Sequence, residues 1–451
     1  MPGPPLTARG RVALALGSAA RWASRVTGRG AGAMIGGLVA MKLDRSVLRQ
    51  LGAGRRTVVV TGTNGKSTTT RMVAAALRAL GPTAADGRRH QTVASNGEGA
   101  NMDAGLIAAL STDRAASLAA LEVDEMHVPH VADAVDPTVF VLLNLSRDQL
   151  DRVGEINHIE RTLRAGLARH PGAVVVANCD DVLMTSAALD CPRVVWVAAG
   201  SGWAGDSVSC PRSGEVIVRE GAHWYSTGTD FSRPAPQWWV DDENLYGPDG
   251  LALPMKLSLP GAVNRGNAAQ AVAAAVAMGA DPAAAVAAVA GVDEVAGRYR
   301  TVRIGNHTAR LLLAKNPAGW QEALSMVDKT AAGVVISVNG QVPDGEDLSW
   351  LWDVRFEHFG DERLARRASG HPTLVVAAGE RGTDLAVRLG YAGVEHTLEH
   401  DTVTAIGSCP PGHVEVLANY TAFLQLQRAL ERPGGQERSD PGKDPGGQER
   451  G

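Results

Sequence analysis

The stretch Thr57-Val58-Val59-Val60 runs straight into Thr61-Gly62-Thr63-Asn64-Gly65-Lys66-Ser67-Thr68, and an Ala/Leu/Arg-rich segment follows to Leu80. No other feature of the chain restricts its fold as strongly. The valines predict a buried strand, the two glycines a tight loop, and the Ala-rich stretch a helix. A strand, a glycine loop and a helix in that order open a nucleotide-binding α/β domain. Phosphate chemistry wants backbone N–H groups at a helix N-terminus, a cationic side chain and a hydroxyl for Mg²⁺. Gly62 and Gly65 permit the turn, Lys66 supplies the charge, and Ser67 is positioned for the metal. Gly62, Thr63, Asn64, Gly65, Lys66, Ser67 and Thr68 are therefore the candidate ATP-binding set. The usual loop begins one position sooner, with Gly where this chain has Val60, so the match is to a variant.

Further strands are predicted at 118–123, 138–143 and 173–177, with helical stretches between them. That alternation predicts a mostly parallel sheet with right-handed crossovers. From 200 to 255 Gly, Ser, Pro and Trp become frequent and helical periodicity disappears, which predicts a β-rich insertion. An Ala-rich helix at 266–279 returns to the first domain, and Gly297-Arg298 reads as a junction. A second α/β unit follows, with strands predicted at 309–314, 333–338, 373–378 and 413–417. The expected organisation is an N-terminal helical segment (1–45), a central domain (46–298), a C-terminal Rossmann-like α/β domain (299–430) and a disordered tail (431–451). The tail repeats PGGQER and is too polar to form a core.

A length of 451 residues allows two or three domains with separate cores. The net charge of -4 argues against a general nucleic-acid binder. The four cysteines, Cys179, Cys191, Cys210 and Cys409, form no CxxC pair, so a disulfide framework is not expected and the cytoplasm is the default compartment. Residues 11–20 are apolar, but Arg21 and Arg25 interrupt the run, and 31–41 is too short to span a bilayer. These segments read either as helices packed on the first domain or as a peripheral contact with a membrane surface.

The form TGTNGKST resembles the Mur ligase and folylpolyglutamate synthase superfamily, and three other stretches agree in order. They are Leu121-Glu122-Val123-Asp124-Glu125, the segment from Asn144 through Asp148 and Asp151 to Arg152, and Asn264-Arg-Gly-Asn267-Ala-Ala. The resemblance implies a Mur ligase-type central ATPase domain with Mg²⁺ on Ser67 and Glu122, and a nucleotide contacted by Asn264, Asn267 and Arg298. Further stretches are similar to the MurT family, the ligase-like subunits of lipid II isoglutaminyl synthase. These are the run Asn96 to Met102, LLLAKNPAGW at 311–320, DGEDLSWLWD at 344–353 and Asn419-Tyr420-Thr421. That resemblance implies amidation of the D-glutamate α-carboxyl in the lipid II stem peptide at the inner face of the plasma membrane. ATP would activate the carboxylate as an acyl phosphate, and a GatD-type glutaminase partner would supply ammonia. Lys66 and Glu122 would serve the ligase chemistry, and Asp347 would complete the partner's Cys–His group, with Asp344 and Asp353 as nearby rivals.

Two departures accompany the resemblance. Amino-acid-adding Mur ligases carry a modified lysine near the position that is Leu163 here. Many MurT proteins carry a Cys₄ zinc ribbon, whose positions here read Cys210, Ser213, Ser226 and Thr229. Hydroxyls are poor zinc ligands, so no structural zinc is expected, and packing of Trp224, Tyr225, Phe231, Trp238 and Trp239 is expected to hold the insertion. The alternatives are an amino-acid-adding ligase of the Mur or folylpolyglutamate type, and a non-catalytic ATP-binding scaffold.

Overall fold

The computed structural model describes residues 6–26, 32–81, 91–97, 100–146, 155–200, 207–292, 299–328, 330–344, 347–359 and 373–431. Arg298, the run 147–154 with Asp148, Asp151 and Arg152, and the tail from 432 lie outside them. The chain divides into two compact units, Met1–Ala296 and Gly297–Gly451.

The first unit begins with α1 (Ala8–Val26), α2 (Gly32–Leu43) and α3 (Val47–Gly52). It continues as β1 (Arg56–Thr61), α4 (Lys66–Arg78), β2 (Val93–Ser95), α5 (Asp103–Thr112), β3 (Leu118–Glu122), α6 (Val128–Val135) and β4 (Val139–Leu142). Then come α7 (Glu155–Leu167), β5 (Val174–Asn178), α8 (Val182–Ala188) and β6 (Val194–Ala198). The chain then enters β7 (Ile217–Glu220), β8 (His223–Ser226), β9 (Trp238–Val240), β10 (Asn244–Tyr246) and β11 (Ala252–Pro254), and ends the unit with α9 (Ala262–Ala277) and α10 (Pro282–Ala290). Among the described residues the main sheet runs β11-β10-β9-β6-β5-β4-β1-β3-β2. β2 through β6 pair in parallel, and the antiparallel β9-β10-β11 edge continues the sheet beyond β6. β1 is buried from Thr57 to Thr61, as its valines require in a strand covered on both faces.

The β-rich stretch predicted at 200–255 therefore has two fates. Only β7 and β8 form a separate two-stranded sheet, whereas β9–β11 extend the main one. Trp224 packs on Phe231 with ring centroids 5.0 Å apart and joins Cys210, Ile217 and Val182 in one buried cluster. The other aromatics expected to hold this region do different work. Trp239 stacks on Tyr246 in the sheet edge, and Tyr225 stacks on His223.

The second unit contains β12 (Tyr299–Ile304), β13 (His307–Leu313), α11 (Pro317–Met326), β14 (Gly333–Ser337), β15 (Leu374–Ala378), α12 (Gly382–Tyr391), β16 (His396–Leu398), α13 (Thr402–Ser408), β17 (Gly412–Ala418) and α14 (Tyr420–Glu431). Its strands lie in the order β12-β13-β17-β14-β15-β16. All neighbours are parallel except β12 and β13. The fold is α/β in both units.

Small residues fix the N-terminal helices. A Cβ added at Gly17 would lie 2.5 Å from Gly36 O, and one at Gly36 would lie 2.8 Å from Gly17 O. A Cβ at Gly37 would fall on the backbone oxygen of Ala104 in α5. Replacing a helical Gly by Ala ordinarily stabilises by about 1 kcal/mol. Here the clash with fixed backbone reverses the sign. Gly37→Ala is expected to lower stability by about 1–3 kcal/mol in denaturant unfolding; an unchanged or raised midpoint would contradict this packing.

Candidate active site

β1 lies between β3 and β4, the position in an open parallel sheet where ligands bind beyond the carboxyl ends of the strands. Beyond its last residue the chain turns through Gly62 at φ +140° and Gly65 at φ +81° into α4. Both are left-handed or nearly so, which side chains resist. A Cβ at Gly65 would also meet Asn267 Oδ1 at 2.9 Å. The loop and α9 thus approach as closely as glycine allows.

A second amide clamps the loop from the other side. Asn144, two residues after β4, accepts from Asn64 N at 3.0 Å and donates from Nδ2 to Asn64 O at 3.1 Å. Thr63 N donates to Asn144 O at 2.8 Å. Thr63 Oγ1 donates to Ser146 O and accepts from Ser146 N at 3.1 and 2.9 Å. The loop is therefore held in shape by hydrogen bonds from the protein itself. Within α4, Thr69 N donates to Gly65 O at 2.9 Å, and the N–H groups ahead of it lie in the first turn, where a helix has no internal acceptors.

Lys66 and Ser67 are both buried at the start of α4. Lys66 Nζ donates to Gly62 O at 2.5 Å and Thr63 O at 3.2 Å, and pairs with Glu125 Oε1 at 3.3 Å. Glu125 is the residue that sequence reasoning passed over. It stands in the same acidic stretch as Glu122, but nothing in the sequence says which carboxylate reaches the lysine. Glu122 ends β3 directly beside Val60 of β1 and is 2% exposed. Its backbone is braced by Asn96, which accepts from Glu122 N and donates to Glu122 O, both at 2.8 Å.

Asn264 and Asn267 both lie on α9 and are buried. Asn267 faces the loop, while Asn264 Nδ2 donates back to Pro260 O at 2.6 Å. A cavity of 440 Å³ opens beside the start of α9, bordered by the Arg233–Asp180 ion pair and Arg265. The residues present suit Mg²⁺ and a nucleotide phosphate: a glycine cradle, an ammonium, a hydroxyl and an oxygen-only acidic donor. Leu163, at the lysine position of amino-acid-adding ligases, is wholly buried in the hydrophobic core.

Of the four expected ribbon positions, Ser213 and Ser226 meet Cys210. Burial pushes the Cys210 thiol up, but hydrogen bonds with Ser213 and Ser226 more than offset it and hold it below the usual thiol range. Thr229 Oγ1 accepts from Phe231 N at 3.3 Å. One thiol and three hydroxyls remain where four sulfurs would stand.

In the second unit the distinctive stretches meet. Asn316 caps α11 by accepting from Gly319 N at 2.8 Å, with Pro317 at the first helical position. That cap delivers Trp320 into the core, where it stacks on Trp350 at 5.6 Å and meets Phe356 edge-on at 6.1 Å. Lys315 Nζ lies 5.0 Å over the Tyr420 ring. Asp344 accepts from Thr421 N at 3.0 Å and from Thr421 Oγ1, so this acid is committed inside the unit. Asp347 is exposed and accepts from Ser349 N and Oγ at 2.8 and 3.0 Å. Tyr420 and Thr421 also border a cavity of 750 Å³ with Gln341, Glu380 and His400.

The Mur ligase middle domain family matches residues 60–275, and the MurT ligase C-terminal family matches residues 313–423. The lipid II isoglutaminyl synthase (glutamine-hydrolyzing) subunit MurT of Streptococcus pneumoniae is 28% identical over 434 residues, 89% of this chain and 93% of the relative. The subunit of the same name from Staphylococcus aureus is 26% identical over 444 residues, 93% of this chain and 97% of the relative. Over most of its length the chain is similar to these MurT subunits. A crystal structure of MurF from Acinetobacter baumannii superposes with a TM-score of 0.61 at 17% identity, covering 87% of this chain and 80% of that one, which shows the Mur ligase fold. The Mur ligase middle-domain match thus takes in the phosphate loop, and the MurT C-terminal match takes in the Trp320–Trp350 stack.

Asp181 anchors the strand ends behind the loop, accepting from Met184 N at 2.8 Å and Leu145 N at 3.1 Å. Burial pushes its carboxyl from 3.8 up to about 6 against those bonds. The folded state therefore holds the extra proton between these values, and stability falls as pH rises through that window and levels off above it. The stability of the wild type relative to Asp181→Asn is expected to fall by about 2 kcal/mol between pH 4 and 6. A gap independent of pH in thermal unfolding would refute the assignment.

Proposed function

We propose that this protein is the ligase subunit of a lipid II isoglutaminyl synthase. It amidates the α-carboxyl of D-glutamate in the lipid II stem peptide, consuming ATP and ammonia, at the inner face of the plasma membrane. The MurT relatives carry that activity in their names. The observation that carries the reading is the glycine loop opening α4, with Lys66 and Ser67 buried in its first turn and Glu122 buried at the end of the neighbouring strand β3.

The chemistry follows from those groups. A carboxylate oxygen attacks the γ-phosphoryl of ATP, giving an acyl phosphate and ADP. Ammonia then adds to the acyl carbon, phosphate leaves, and a carboxamide remains. Lys66 neutralises phosphate charge, and the α4 N-terminus donates N–H groups to the same oxygens. Ser67 and Glu122 would hold Mg²⁺, which when bound offsets the charge that develops during phosphoryl transfer. Thr63, Asn64 and Thr68 complete the nucleotide-binding loop, and Asn264 and Asn267 stand on α9 beside it. Glu125 holds the Lys66 ammonium in place before substrate arrives.

Ammonia would come from glutamine hydrolysed by a GatD-type partner in a heterodimer. Asp347 is the acid for that interface, since it is exposed whereas Asp344 is tied to Thr421. A carboxylate there can orient an imidazole and stabilise its charged form. The buried Leu163 favours amidation over addition of an amino acid.

With the glutaminase present, Lys66→Ala is expected to lower amidation of lipid II, followed by mass spectrometry, by at least about a hundredfold. Retained amidation would overturn the role of the loop. Asp347→Asn is expected to abolish glutamine-supported amidation while sparing amidation with free ammonium. Equal losses with both nitrogen sources would remove Asp347 from the interface.

A further inference from the structure

The outer face of α1 is apolar where a surface helix is ordinarily polar. Val12, Leu16, Trp22 and Val26 are 57%, 49%, 69% and 67% exposed, and the exposed Ala19 continues the same line. Their spacing of three and four residues places them along one stripe about 21 Å long. The opposite face is the packed one: Ala13 is buried, and Gly17 abuts Gly36 of α2. The stripe is therefore not a displaced core face. α2 adds Met34 and Leu38, 43% and 44% exposed and one turn apart, with the exposed Lys42 a further turn along.

Charge decides what fits such a surface. The first Asp or Glu of the chain is Asp44, whereas Arg9, Arg11, Arg21, Arg25, Arg29 and Lys42 all precede it. Arg9 and Arg11 are exposed beside the stripe. The whole chain is nevertheless acidic, at -4. Aliphatic side chains and a tryptophan flanked by basic groups match an anionic bilayer surface, with the tails taking the apolar face and headgroups taking the cations. No helix among the described residues is long and apolar enough to cross a membrane. The helices lie on the surface rather than through it.

We infer that α1 and α2 form a peripheral docking face for a membrane carrying anionic phospholipid, seated by Val12, Leu16 and Trp22 and oriented by Arg9, Arg11 and Lys42. The inference stands apart from the amidation reading, because it needs neither ATP nor lipid II.

The test is sedimentation of the full chain with vesicles free of lipid II. One set contains phosphatidylcholine alone, and the other phosphatidylcholine with phosphatidylglycerol. The chain is expected to sediment with the anionic vesicles and to be released by salt. Arg11→Glu with Lys42→Glu should weaken partitioning at least about tenfold, since each basic group near such a surface contributes about a fivefold factor. Leu16→Glu should weaken it about tenfold or more. These side chains point outward, so thermal unfolding of each variant should match the wild type. Failure to bind anionic vesicles, or equal binding to neutral ones, would overturn the inference. So would concentration-dependent self-association in light scattering that Leu16→Glu abolishes, because a second copy would then cover the stripe.

Discussion

The phosphate loop is held by amides, and much else in the first unit serves to keep those amides in place. Asn144 grips both the N–H and the carbonyl of Asn64, while Asn267 crowds Gly65 from α9. Gln270, one turn further along α9, donates to Leu142 O at 2.8 Å and ties that helix to the end of β4. The strand ends and the helix must keep their register for the glycines to stay in conformations that other residues resist. A loop fixed in this way leaves the first-turn N–H groups of α4 to meet an anion with little reorganisation.

Electrostatic preparation is of the same kind. Lys66 is buried among two carbonyls and Glu125, so its charge is compensated inside the protein before any phosphate is present. An uncompensated ammonium at that depth would cost several kcal/mol. Glu125 thus lets the cation be stored where it is needed. Glu122 is positioned through its backbone, which Asn96 grips at both polar groups, leaving the direction of its carboxylate to the end of β3.

The second unit shows how a sequence signature becomes a structure. The stretch from Lys315 to Trp320 is a helix cap, a proline start and an anchor in six residues. Its tryptophan stacks on Trp350, and its lysine lies over Tyr420, so three stretches far apart in sequence share one contact region. The β7–β8 hairpin makes the complementary point. Trp224 and Phe231 supply its cohesion, with the Trp224 indole donating to Cys179 O at 2.9 Å. Aromatic burial concentrates cohesion in a few side chains.

The chain by itself determined the α/β class, the phosphate loop and the parallel strands β1, β3, β4, β5, β13, β14, β15 and β17. These are short runs of mostly buried apolar residues, and local pattern suffices to mark them. The three-residue strands β2, β9, β10, β11 and β16 were not legible, because segments so short are strands only through the neighbour that pairs with them. Only the tertiary structure decided that Glu125 rather than another acid meets Lys66, that Asn144 rather than a glycine shapes the loop, and that Asp344 turns inward while Asp347 stays out. Those choices rest on contacts across tens of residues, and no periodicity in the chain encodes a distance between side chains.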